Sequence, residues 1–500
     1  MPAARRKQWP LVNGAWMDLI KFRLRSLVLL LSLAAVTLPA GSCLAAALAP
    51  AINALLRSPK VAGAQVGISV VELVNHRPVQ LYQFNPNVPL MPGSNGKILT
   101  TAAAFDRLGA KATIKTRLYR IGSDLMIVGG GDPALGDPVL CQRVGWKVTT
   151  AFDNWAAHLK ELGLTHFHNI YVDDSIFNHH FVNPLWPRGG SQRLDWYEAQ
   201  VGGLNCSLNC LNWSPYLLAN GRPAVSYVPE SRYTSVSIQA SPGPYNRVWM
   251  WRAPGSPQFI LRGQVARVWA GPPLQVTVPD PGMFTGWVLH HSLAAAGITL
   301  TGSVKRLTLA DAEAQGFKPV LLATYETPLA DILKRANTDS INLMAECLCK
   351  LLGHDATGQP GSWHNGDAAI DGYLNSIGVA PGWGEMVDGS GLSHHDHIAP
   401  SALVAVLSHI AAEPDANAYI ASLCRPGHGT LIHRLIGSPA RRWVYAKDGH
   451  ITGASTISGY MLLPHRSFVF SIMVNHYRGN VNYWQDDVIT ALYRWAVSPR

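Results

Sequence analysis

Residues 92–109 read PGSNGKILTTAAAFDRLG, and the stretch changes character partway along. From Lys97 to Leu108 apolar residues recur at helical spacing among alanines and leucines, and Gly109 supplies a stop, so the pattern predicts a helix. Ser94 then sits at the start of that helix, three residues before Lys97. Residues three apart share a helical face, so the lysine amine can reach the serine hydroxyl and act as its base. Such a lysine must be partly neutral, which takes burial or a neighbouring cation to lower its pKa from about 10.4. The bland reading of the same residues is a helix-capping serine followed by a surface lysine.

Upstream, Gln65 to Leu73 and Pro78 to Phe84 alternate apolar and polar positions around Asn75-His76, the pattern of two strands joined by a hairpin. Downstream, residues 113–321 break into short strand-like pieces such as Leu125 to Val128, His168 to Val172 and Ser235 to Gln239, punctuated by Gly, Pro and Asn. Helical spacing returns from Pro328 to Ala336 and from Ile341 to Leu352, with Ser340 at the second start and Gly353 at its end. Val444 to Ala446, Thr456 to Leu463 and Phe468 to Asn475 read as strands, and Val488 to Ala496 as a terminal helix. Strands from both ends of the chain suggest one sheet. The expected architecture is α/β (α+β): an antiparallel sheet flanked by helices, spanning 48–112 and 322–500, interrupted by a β-rich insertion over 113–321.

The Ser94-Asn95-Gly96-Lys97 element is the only SxxK of the chain, and it precedes Ser340-Ile341-Asn342 and then Lys447-Asp448-Gly449, the only KxG. In that order the three elements resemble the signature set of class A β-lactamases and penicillin-binding proteins. Five further runs accompany the first quoted stretch: DLMIVGGGDPALG from Asp124, YVDDSIF from Tyr171, NTDSINLMAE from Asn337, VDGSGLS from Val387 and ITGASTISGYM from Ile451. With them the chain is similar to the D-alanyl-D-alanine carboxypeptidase and endopeptidase family, the class C low-molecular-mass penicillin-binding proteins, over nearly its whole mature length. The long separation of Lys97 from Ser340 resembles the extra domains that this family inserts there. The resemblance implies a β-lactamase/transpeptidase-like domain, peptidoglycan stem peptide as substrate and β-lactam antibiotics as covalent inhibitors.

In that frame Ser94, Lys97 and Ser340 are the expected catalytic residues, with Ser340 relaying a proton to the leaving amine. The expected substrate-binding residues are Asn342, Lys447, Asp448, Gly449 and His450, with the backbone N–H groups of Ser94 and His450 as an oxyanion hole. Where the family has Lys-Thr-Gly, usually followed by Thr, this chain has Lys447-Asp448-Gly449-His450 and lacks both hydroxyls. Three readings follow: Asp448 pairs with Lys447 and the site is idle, a protonated His450 holds the substrate carboxylate, or the substrate presents no free carboxylate there. A noncatalytic peptidoglycan-binding protein of the same fold is therefore the alternative to an enzyme, and a β-lactamase or esterase is a third reading.

At 500 residues with 48% hydrophobic composition, the chain is long enough for more than one core. Lys21, Arg23 and Arg25 precede an apolar run from Leu27 to Leu38 and then Ala45-Ala46-Ala47, the order of a secretory signal peptide over 1–47 with its start at Met17. The alternatives are an uncleaved membrane anchor or a lipoprotein cysteine at Cys43. Residues 1–47 hold six Lys/Arg and one Asp, so the net charge of +10 becomes +5 without them, and nucleic acid is not an expected partner. A periplasmic location would permit disulfides among Cys141, Cys206, Cys210, Cys347, Cys349 and Cys424, with no pairing deducible from spacing. No cofactor or metal is expected: His394-His395-Asp396-His397 are too close in sequence to converge on one ion without fixed geometry. Ser207-Leu208-Asn209 reads as a chance SxN, and Gly129-Gly130-Gly131-Asp132-Pro133 as a tight turn. The tryptophans around Met250 could stack on sugars, though cores and hairpins also use tryptophan.

Overall fold

The computed structural model describes residues 41–187, 194–267 and 271–498. Most of the expected signal peptide lies outside these residues; Gly41–Leu56 is helical, and no described helix is long and apolar enough to cross a membrane.

Five strands from the two ends of the chain form one antiparallel sheet, ordered 444–451, 454–462, 467–475, 65–74 and 77–84. Asn75 and His76 both take positive φ at the hairpin, which matches the right-handed twist of the flanking strands. The strand Val444–Ile451 continues past Ala446 through Lys447, Asp448, Gly449 and His450. The sequence pattern marks the strand only to Ala446, yet these polar residues pair one by one with Ser458 to Ser455.

Alternation along the strands feeds two cores. Phe468, Phe470, Ile472 and Val474 pack with Leu48, Ile52, Trp484 and Val488, whereas Val71, Tyr460, Val469 and Met473 face helices 96–108, 342–357 and 400–412. On that second face Ser69, Ser471 and Ser458 stand side by side on adjacent strands, all buried. Three small hydroxyl side chains in a row make the shallow place in which the Ser94 turn is seated.

The helices depart from their sequence pattern in two instructive ways. The expected start at Ser340 falls at Asn342, with Ile341 as cap and Ser340 itself at φ 60. The same helix runs through Gly353 to Thr357 and ends at Gly358 in the left-handed conformation. Gly353 is a packing glycine rather than a stop: a Cβ there would lie 2.1 Å from Asn365 Oδ1 and 2.6 Å from Gly366 N of the neighbouring helix Trp363–Ser376.

Residues 113–328 build a second five-stranded sheet, ordered 304–306, 170–173, 124–128, 113–121 and 320–328, with mixed pairing. The span also carries helices Thr150–Glu161 and Pro281–Ala295, whose Phe152, Trp155, Phe284 and Leu289 fill its core, so it is less purely β than its sequence suggests. Two smaller sheets follow, one of strands 210–217, 223–228 and 274–277 and one of strands 235–238, 241–242, 247–251 and 258–265.

The six cysteines beyond residue 47 are free and buried; burial pushes the thiols of Cys141 and Cys210 up to about 11 and about 12. The permitted disulfides do not form among the described residues. A buried ion pair instead ties the span to the helices: Arg335 Nε donates to Asp137 Oδ2 at 2.8 Å, while Asp137 Oδ1 accepts from Val139 N and Leu140 N. Both partners are nearly inaccessible. Arg335→Ala strands the Asp137 carboxylate, and is expected to lower stability by about 3–5 kcal/mol in a denaturant titration, with Asp137→Asn less damaging.

Candidate active site

Pro92 to Asn95 form a tight turn that feeds directly into the helix Gly96–Leu108. Side chains on both sides of the turn fix it to the sheet: Thr456 Oγ1 donates to Pro92 O at 2.6 Å and Asn95 Nδ2 donates to Ser458 Oγ at 2.8 Å. Close approach does the rest. A Cβ on Gly449 would lie 2.4 Å from Pro92 O, and one on Gly391 would lie 1.8 Å from Gly93 O. The backbone nitrogen of His450 lies 3.0 Å from where a Gly93 Cβ would stand, beside the residue that precedes Ser94.

Lys97 is fully buried in the first helical turn. Its Nζ lies 2.9 Å from Ser94 Oγ, 2.6 Å from Asn342 Oδ1 and 3.0 Å from Ser390 O. The orientation of the Asn342 amide follows from its other end, where Nδ2 donates to Tyr197 O at 2.8 Å. A neutral amine has two hydrogens, and two of its three neighbours, the amide and peptide oxygens, can only accept. Its lone pair is therefore left to Ser94, whose hydroxyl is the one neighbour able to donate. Burial and the Lys447 charge lower the Lys97 pKa to about 7, against the opposing pull of Glu346, Asp388 and Asp448.

Two buried carboxylates hold this arrangement. Asp388 accepts from the backbone N–H groups of Ser390, Gly391 and Ser393 and from Trp186 Nε1, which turns the Ser390 carbonyl toward Lys97. Glu346, one turn beyond Asn342, accepts from Trp363 Nε1 and Gly389 N; burial and Asp388 raise its pKa to about 7.

Ser94, Ser340, Asn342 and His450 line one open cleft of about 390 Å³, together with Trp196, Tyr197 and Thr430. Lys97 lies beneath its floor. Ser340 faces the cleft, but among the described residues no hydrogen bond joins its hydroxyl to Ser94, Lys97 or Lys447. Lys447 Nζ turns to its own neighbour, donating to Asp448 O and lying 3.3 Å from Asp448 Oδ1. Thr430 Oγ1 donates to the same carboxylate oxygen. Burial works to raise the Asp448 pKa, yet Lys447, the Thr430 hydroxyl and Arg434 outweigh it and hold the carboxyl below its ordinary value. The cation of the strand is thus already matched with an anion.

Sequence reading missed Ser390, Thr430 and Tyr197. Ser390 lay within a quoted run, VDGSGLS, but acts through a carbonyl, as does Tyr197, and backbone oxygens leave no residue-type signal. Among the histidine-rich residues 394–397, Asp396 accepts from Val387 N and His397 Nδ1 lies 2.9 Å from His395 O, so the four side chains do not converge. Ser207-Leu208-Asn209 forms a buried turn elsewhere, with positive φ at all three residues.

The model of the D-Ala-D-Ala carboxypeptidase 3 (S13) family matches residues 48–497. A D-alanyl-D-alanine carboxypeptidase of Actinomadura sp. strain R39 is 28% identical over 455 residues, 86% of this chain and 81% of its own length. D-alanyl-D-alanine carboxypeptidase DacB of Haemophilus influenzae is 28% identical over 207 residues, 41% of this chain and 42% of its own length. The crystal structure of penicillin binding protein 4 from H. influenzae superposes with a TM-score of 0.72 at 22% identity, covering 90% of this chain and 99% of that one.

Because a Gly449 Cβ would meet backbone atoms on both sides of the nucleophile turn, Gly449→Ala is expected to destabilise the protein by about 1–3 kcal/mol. The check is a denaturant midpoint for this variant, alongside Gly384→Ala as a control at a position without positive φ, in which a Cβ meets nothing closer than 3.6 Å.

Proposed function

This chain belongs to the D-Ala-D-Ala carboxypeptidase 3 (S13) family, and we propose that it releases D-alanine from peptidoglycan stem peptides through an ester on Ser94. The observation that carries the reading is the three-way placement of Lys97 Nζ, with two acceptors on its hydrogens and Ser94 on its remaining side.

In the proposed cycle Ser94 Oγ attacks the carbonyl carbon of the penultimate D-alanine while its proton passes to Lys97 Nζ. The backbone N–H groups of Ser94 and His450 receive the developing oxyanion. As the C–N bond breaks, the departing amine takes a proton from the Ser340 hydroxyl, which is refilled from Lys97. Water then attacks the ester, Lys97 again takes the proton, and the shortened peptide leaves with Ser94 restored. The second Asn342 amide hydrogen is available to the substrate backbone, the first being given to Tyr197 O. β-Lactams enter by the same attack, with ring opening in place of amine departure.

The paired Asp448 redirects recognition of the substrate carboxylate; it leaves the hydrogen bonds of Lys97 in place but reaches that lysine through its charge. Lys447 supplies the cation of the strand, and the single hydrogen of the Thr430 hydroxyl on the cleft wall is committed to Asp448, so it becomes a donor to substrate only when that pair is broken. The Asp448–Lys447 pair is the one an idle site would show, but the contacts of Lys97 with Ser94, Asn342 and Ser390 support an active one. Export by the segment before residue 48 is part of the same proposal, since the substrate lies outside the cytoplasm.

Three outcomes test the reading. Incubation with a labelled penicillin is expected to place one adduct on Ser94, absent in Ser94→Ala; the absence of any adduct on the unaltered chain sinks it. Lys97 must be neutral to act, so acylation is expected to rise with pH and level off above about 7. Asp448→Thr removes a charge that favours the protonated Lys97, so it shifts that rise toward lower pH. Freeing Lys447 should also raise kcat/KM for a peptide ending in D-alanyl-D-alanine by about tenfold.

A further inference from the structure

Far from the cleft residues in sequence, strand Arg247–Trp251 presents Arg247, Trp249 and Trp251 on one face of a small sheet, with Met250 turned to the core. Trp249 is 54% exposed and Trp251 41%. The neighbouring strand Gln258–Val265 sets Arg262 opposite Trp249 and Gln264 opposite Arg247. Arg262 lies over the Trp251 ring at 5.3 Å and its Nε donates to Gln239 Oε1, just past the end of strand 235–238. The Trp249 ring is seated on Gly263, where a Cβ would come within 3.0 Å of it. Both indoles are therefore exposed on this face rather than filling the core beneath, with Arg262 against the Trp251 ring.

Beside Trp251 the face dips into a pocket of about 240 Å³ whose walls include Ser235, Ser237, Ser256 and Gln258. The charged side chains that share this face with the two tryptophans, Arg247 and Arg262, are both cationic. Exposed aromatic rings flanked by hydroxyl, amide and guanidinium groups suit a ligand that is apolar on its faces and polar at its rim. A pyranose has that form. Lone apolar anchors for a protein partner would not call for the hydroxyl-lined pocket.

We propose that this sheet face binds the glycan strand of peptidoglycan, with Trp249 and Trp251 stacking on sugar rings, a ring seated in the adjoining pocket, and Arg247 and Arg262 attracting the carboxylates of the attached peptides. The occupant rests on the reading of peptidoglycan as the substrate polymer; the ring geometry does not. Such a face would keep the enzyme on the polymer between cleavages and act on insoluble substrate only.

The test uses the full chain carrying Ser94→Ala, sedimented with purified peptidoglycan sacculi, and the same chain with Trp249→Ala and Trp251→Ala. The double variant is expected to bind sacculi about tenfold more weakly or worse. Soluble oligomers of β-1,4-linked N-acetylglucosamine should compete with the unaltered face and quench its tryptophan fluorescence. With Ser94 intact, hydrolysis of a soluble D-alanyl-D-alanine peptide should be equal in both, which shows that the double variant is folded. Equal sedimentation of the two, no competition by the oligomers, or binding that survives digestion of the glycan each overturns the proposal. Tryptophan-dependent binding without hydrolysis of the soluble peptide would sink the catalytic reading and leave this one standing.

Discussion

The site depends on one close contact, the seating of the Pro92–Asn95 turn between the edge strand of the main sheet and the loop that carries Ser390. Two glycines without room for a Cβ, Gly449 and Gly391, meet the turn from opposite sides. The buried serines of the sheet and the Asn95 and Thr456 hydrogen bonds fill in below. Side-chain packing alone tolerates small shifts, whereas backbone against backbone does not. The position of Ser94 is consequently set by the main chain on each side of it, and Lys97 is carried into place by the first turn of the helix that follows.

Electrostatics complete what the backbone begins. Lys97 lies between Lys447, which pushes its proton off, and a tier of acids, Glu346, Asp388 and Asp448, that pull it back. Burial tips that balance toward neutrality. Asp448 therefore does two things at once: it neutralises part of the field of Lys447, and it weakens the push of Lys447 on Lys97. A change of recognition at the strand edge cannot be separated from a change in the basicity of the lysine, because the same charge enters both.

Much of this was legible in the residues. The five-strand sheet followed from alternation at both chain ends, and the nucleophile helix from its spacing and stop, because both depend on periodicities that a core enforces. Gly353 misled because a glycine that admits a neighbouring helix looks, in one dimension, like a glycine that ends its own. Ser340 misled by a single turn, since a serine before a helix usually caps it and this one instead bends backward at positive φ. Lys447 to His450 concealed a strand for the opposite reason: their conformation is imposed by partners on the adjacent strand, not by their own preference. What stayed out of reach were Tyr197 and Ser390, which act through peptide oxygens supplied by distant parts of the chain.

The six buried thiols bear on how the protein can mature. Each is single, inaccessible and, where burial raises its pKa, mostly protonated near neutrality, which makes it a poor nucleophile for exchange. The fold is held by its cores and ion pairs such as Arg335 with Asp137 rather than by covalent crosslinks among the described residues. Among the described residues, folding accordingly draws on no crosslink, and the protein should fold with these six thiols reduced.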